Sequence, residues 1–179
     1  MNTIKLTALV MVLMLGVSVS AWASSADDVN TVTVAVNNVL SISDTTGNFT
    51  LTFSDFEIGQ ETPTQLVTYR VKANNMTTGA LTGVVAAKLN ALIYGVDLKG
   101  DPGAYANIGS SGNVPLSESG AGFITIGTLA TNLADKAATT GNQQKVLNGN
   151  LPIIWKAVAT QDLTSGSYPA TLTVTLKDI

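Results

Sequence analysis

The chain contains no histidine and no cysteine. Those absences remove the commonest general base, the commonest transition-metal ligands and any disulfide. Charge is sparse too. Asp, Glu, Lys and Arg make up 12% of residues, nine basic against 12 acidic, for a net charge of −3. A mildly acidic chain without a basic cluster is not built to hold nucleic acid or anionic lipid. Stability has to come from packing and strand pairing alone.

What is present begins with an address. Lys5 supplies a positive start, Leu6 to Val19 is almost wholly apolar, and Ala21-Trp22-Ala23 is a small-x-small cleavage signal. That layout predicts a secretory signal peptide over residues 1–23, with cleavage before Ser24. The apolar stretch is about 14 residues, short of the roughly 20 a spanning helix needs. No later segment predicts a membrane span. The protein is therefore expected to be exported, to the periplasm, the cell surface or the medium of a bacterium. Residues 24–179 are expected to form one domain, large enough to bury a real core.

The rest of the chain is rich in Thr and Val, both strand formers. After a polar, acidic lead-in, Val32, Val34, Val36, Leu40 and Ile42 share one parity, interrupted by Asn38. This predicts a long first strand, bent at Asn37-Asn38. Asp44 to Asn48 reads as a turn, and Phe49, Leu51 and Phe53 as the second arm of a hairpin. Val67, Tyr69, Val71 and Ala73 predict a half-buried strand. Across 81–98 the apolar parity switches, which predicts a bulge or bend near Asn90-Ala91, with a short helix over 84–93 as the alternative. Lys99 to Gly122 reads as a long loop, Phe123 to Leu129 as a short strand, and Asn132 to Ala137 as a helical turn. Pro152 opens a strand with Ile153, Trp155, Ala157 and Ala159 inward. The C-terminal run Tyr168, Ala170, Leu172, Val174 and Leu176 is the last strand. The sum is an all-β, antiparallel β-sandwich, immunoglobulin-like in layout, of about eight or nine strands.

The inventory for chemistry is thin. A serine nucleophile without histidine needs a Lys or an N-terminal amine as its base, and no Ser-x-x-Lys occurs. Asp97, Asp101, Glu118 and Asp162 are candidates for a glycosidase-type carboxylate pair, yet all fall at predicted turns, where Asp is expected for backbone bonding. Asp97 to Gly103 offers a hard cation too few oxygens and places Lys99 among them. No catalytic residue, cofactor or metal site is assigned. Trp155, Tyr69 and Tyr94 fall on apolar parities and read as core, leaving Tyr105 as the free aromatic for a sugar. Asn48-Phe49-Thr50 and Asn75-Met76-Thr77 match the glycosylation sequon, as chance allows in a chain rich in Asn and Thr.

The segment Thr164-Ser165-Gly166-Ser167-Tyr168-Pro169-Ala170-Thr171-Leu172-Thr173-Val174-Thr175-Leu176 resembles the last strand of exported bacterial pilin-like domains. The nearest group is the spore coat protein U-like proteins, similar to chaperone–usher pilin subunits. Gly166 and Tyr168 match that strand's Gly-x-Tyr, and Thr171, Thr173 and Thr175 its outward threonines. The N-terminal alternating strand after a signal peptide is similar as well. The resemblance implies a pilin-like sandwich that is secreted, assembled at a surface and non-enzymatic.

The expectation is a structural subunit of a surface appendage, coat or matrix, with itself or other surface proteins as partners. Val32, Val34, Val36, Leu40 and Ile42 form the candidate strand-exchange segment. Tyr168, Ala170, Leu172, Val174 and Leu176 form the candidate acceptor strand, because strand addition uses main-chain bonds and alternate side-chain pockets. The alternative is a secreted carbohydrate-binding module.

Overall fold

The longest strand follows the cleanest alternation in the chain. From Leu147 to Ala159 every odd position is buried and every even one half-exposed. That is the two-residue period of a strand with one face on a core. The computed structural model describes residues 33–109, 114–139 and 145–178. Their strands are β1 (Leu40–Asp44), β2 (Gln65–Ala73), β3 (Leu81–Leu89), β4 (Val96–Pro102), β5 (Ala106–Asn107), β6 (Leu116–Glu118), β7 (Ile124–Ile126), β8 (Thr131–Lys136), β9 (Leu147–Ala159) and β10 (Leu172–Leu176). No helix among the described residues is long and apolar enough to cross a membrane.

The strands make two antiparallel sheets. The larger runs β1-β2-β9-β4-β7, and β5 pairs with β9 beyond the end of β4. The smaller runs β10-β3-β8-β6. Their inner faces meet over Val67, Val71, Val84, Leu133, Ile153 and Trp155, each at most 1% exposed. This is the expected all-β antiparallel sandwich, with ten strands among the described residues where the sequence predicts eight or nine.

The chain divides after Val36 into two units, Met1–Val36 and Asn37–Ile179. The sandwich is the second. Of the first, Thr33–Val36 are described, outside any strand and exposed. The signal segment 1–23 and Val32 lie outside the described residues.

β1 is shorter than the alternation predicts, and its partner is different. It starts at Leu40 and pairs with β2, Leu40 opposite Ala73 and Asp44 opposite Tyr69. Asp44 Oδ1 accepts a hydrogen bond from Gly47 N at 2.7 Å, and Gly47 takes φ +78°. This turn carries the chain off the sheet edge. Phe49 then stacks on Trp155, ring centroids 6.3 Å apart. The apolar residues of 49–53 go to the core, so no hairpin with β1 forms.

Three further expectations are corrected. The parity switch across 81–98 marks two strands, β3 and β4, joined by a turn; there is no helix over 84–93. The bend falls at Asn90-Ala91 as expected, and a separate bulge lies earlier, where the β3–β8 register slips between Leu81 and Ala86. Gly83 sits there at φ +58°, and a Cβ on it would fall 1.9 Å from Asn132 Oδ1, so the position requires glycine. Lys99 to Gly122 is not one loop, since it holds most of β4 together with β5 and β6. Gly100 hid the strand, yet it is what β4 needs there, because a Cβ would lie 2.6 Å from Trp155 Cζ3. Asn132 to Ala137 is strand, not helical turn, because it pairs with both β3 and β6. Its Lys136 is 1% exposed. The amine donates to Gly79 O at 2.9 Å and Ala137 O at 3.2 Å. Burial lowers its pKa, and the Asp178 carboxylate opposes that shift.

Candidate assembly groove

A two-sheet sandwich has an open side wherever both sheets end. Here β1 is the edge of the larger sheet and β10 the edge of the smaller. Ile42 and Ser43 of β1 face Leu172 and Val174 of β10 across a narrow cleft of about 270 Å³. Among the described residues neither strand has a partner on its outer edge, so each presents N–H and C=O groups to that side.

Along this side the cleft widens into a groove of about 1090 Å³. One wall is the chain that leaves β1, residues 47–56. The other is 163–172, which leads into β10. Leu89, Val96, Leu98 and Ala157 line it from the two sheets. The first wall has a strand's alternation without a strand's bonding, while in the second only Leu163, Tyr168 and Leu172 turn inward. Phe49, Leu51 and Phe53 are half-buried, and Thr50, Thr52 and Ser54 are exposed. Among the described residues no backbone–backbone hydrogen bond involves 48–55 or 165–170. At their ends the walls are tied, by Leu163 N donating to Phe56 O at 2.8 Å and Asn90 N to Thr171 O at 2.9 Å. An apolar groove between two unbonded extended segments has the chemistry that an added strand satisfies.

Tyr168 shapes the second wall. Its hydroxyl donates to Thr164 O at 2.5 Å and lies 3.0 Å from Thr164 Oγ1. A tyrosine that bonds back to the chain a few residues upstream fixes a sandwich corner. The last strand therefore begins at Leu172, later than the sequence predicts, and Tyr168 and Ala170 belong to the wall before it. Leu172 and Val174 are half-buried and Leu176 is buried.

The candidate exchange segment is split by the structure. Leu40 and Ile42 lie in β1, paired within their own sheet. Val34 and Val36 are 80% and 79% exposed. The structure brings Ile42 together with Leu172 and Val174. It also adds the 47–56 wall, which the alternation of Phe49, Leu51 and Phe53 signalled but which was assigned to a hairpin.

The acidic candidates are dispersed. Asp97 and Asp101 are on β4 in the larger sheet, and Glu118 is on β6 in the smaller. Asp162 Oδ1 accepts from Ile58 N at 3.0 Å, a turn role. Among the described residues no group of three or more Asp or Glu side chains is arranged to hold a metal. The aromatic expectations divide. Trp155 and Tyr69 are buried as expected. Tyr94 is 76% exposed, because it sits in the β3–β4 turn and not on a strand face. Tyr105 is half-buried against Gly149, where a Cβ would lie 2.4 Å from its ring.

Tyr69 lies at the groove and gives a pH prediction. Burial pushes its phenol pKa up to about 12, and the Asp44 carboxylate adds to the rise. Below pH 10 the phenol is neutral in both folded and unfolded chains. Between pH 10 and about 12 the unfolded chain ionises first and holds fewer protons, so stability falls as pH rises. The loss should reach about 2–3 kcal/mol at the top of that window. Denaturant unfolding at pH 9 and pH 11.5 checks this, with Tyr69→Phe expected to flatten that part of the profile.

The fold defines an antiparallel β-sandwich with a groove along the side where β1 and β10 are the sheet edges. Comparison of the chain with protein-family models, curated proteins and solved structures returns no match.

Proposed function

We propose that this chain is a secreted structural subunit of a bacterial surface appendage, coat or matrix, and that it assembles by strand exchange. In this reading the segment before Asn37 of one copy lies in the groove of the next. The observation that carries it is the groove itself, floored by Leu89, Val96, Leu98 and Ala157 and flanked by segments 48–55 and 165–170, which have no backbone partners among the described residues. The same chain exposes an alternating pair, Val34 and Val36, 80% and 79% accessible. The signal-like N-terminus and the pilin-like last strand support the same reading.

Light scattering across a concentration series tests it. The full secreted chain should form durable oligomers, and a chain beginning at Asn37 should remain monomeric. A full chain that is strictly monomeric at high concentration overturns the assembly reading.

One observation favours the second reading, a secreted carbohydrate-binding module. Tyr94 and Phe56 are 76% and 60% exposed, and exposed rings are what stack on sugars. A monomer that binds glycans, and loses binding on Tyr94→Ala, would place that reading first.

A further inference from the structure

We infer that in the assembled state the end of the sandwich carrying Phe56, Ile58, Leu92, Tyr94 and Leu129 is covered by the opposite end of a second copy, the end carrying Asn37, Val39 and Leu40. This rests on the strand-exchange reading above.

The apolar end is drawn from separate connections. Phe56, Ile58, Leu92, Tyr94 and Leu129 are 60%, 66%, 73%, 76% and 83% exposed. Gly59 N donates to Ala159 O at 2.8 Å, Thr160 N to Gly95 O at 2.9 Å, and Leu89 N to Gly127 O at 2.8 Å. Those bonds bring the β1–β2, β3–β4 and β7–β8 connections to the end where β9 finishes and β4 starts. Large apolar side chains gathered at one end mark an interaction surface.

The groove opens at this same end. Ile93, Val96, Phe56 and Leu163 line it here, the Leu163 N–Phe56 O bond would have to open for this end to serve as a mouth, and the narrower β1–β10 cleft is its far end. A strand that enters from this mouth runs antiparallel to β10, the better-bonded pairing.

The length of chain then identifies the occupant. Asn37 is already fastened to its own sandwich, beside the last residue of β2. Asn74 Nδ2 donates to Asn37 O at 2.7 Å, and Asn74 Oδ1 accepts from Val39 N at 2.7 Å. Val36 is the adjoining residue, and one residue reaches at most about 3.6 Å. A copy that places Val34 and Val36 in a neighbour's groove has no slack left. Its Asn37–Asn74 end must rest on the mouth. That end offers Val39 and Leu40, 41% and 48% exposed, to the apolar side chains opposite.

The test uses the full secreted chain, which has no cysteine of its own. Val39→Cys and Tyr94→Cys together, treated in assembled form with a flexible bismaleimide, should give a ladder of covalent multimers. Each single variant should stop at dimers or below. A second variant, Leu92→Asp with Tyr94→Asp, alters exposed positions only and should raise the half-assembly concentration at least about tenfold. Oligomers that form without a ladder, and that ignore the Asp pair, overturn the end-to-end contact and leave strand exchange standing. If the parent chain forms no oligomers, strand exchange and this contact fall together.

Discussion

Trp155→Ala should lower the unfolding free energy by about 3–5 kcal/mol, the cost of emptying a large aromatic site that cannot collapse. Trp155 is 0% exposed at the centre of β9. Phe49 stacks on it with an interplanar angle of 21°, and Gly100 leaves the space its ring occupies. Its Nε1 has no hydrogen-bond partner among the described residues, so the loss is one of packing. The same ring anchors the 47–56 wall, which should loosen with it. Trp155→Phe keeps a stacking partner for Phe49 and should cost less. Urea unfolding with circular dichroism measures both variants. A Trp155→Ala midpoint equal to the parent's would show that the groove wall does not depend on this contact.

Val34→Asp with Val36→Asp should abolish assembly and leave the subunit folded. The two valines are 80% and 79% exposed, outside any strand. Substitutions at such positions usually change stability by within about 0.5 kcal/mol. In the proposed assembly the same positions enter an apolar groove, where an unpaired carboxylate carries a heavy desolvation cost. The thermal midpoint should therefore stay within a degree or two while light scattering reports a monomer. Loss of the fold would mean that the segment completes its own sheet. Assembly at the parent's level would mean that the valines are not in the contact.

The sequence was most legible where one face of a strand is buried and the other wet. β2 and β9 follow their alternation almost residue by residue, and the inward placing of Ile153, Trp155, Ala157 and Ala159 needed nothing beyond parity. It was least legible where a strand carries residues that locally favour turns or helix. β4 contains Asp97, Gly100, Asp101 and Pro102, and only its neighbours β9 and β7 hold it extended. β8 contains Leu133, Ala134 and Lys136, a helix-favouring set that pairing with β3 and β6 overrides. The groove was half legible. Its β10 edge was plain in Leu172, Val174 and Leu176. Its other wall was not, because Phe49, Leu51 and Phe53 have a strand's pattern while Phe49 stacks on Trp155, far along the chain. Tyr94 failed as a core residue for a related reason: parity counts through a turn as though it were strand.

The central claim is that the groove takes the segment preceding Asn37 from another copy. Native mass spectrometry of a chain beginning at Asn37, mixed with a peptide of residues 24–36, tests it most directly. The account predicts a one-to-one complex that survives dilution. It also predicts that the peptide with aspartate in place of Val34 and Val36 does not bind. A shortened chain that ignores the parent peptide, or binds both peptides equally, would contradict it.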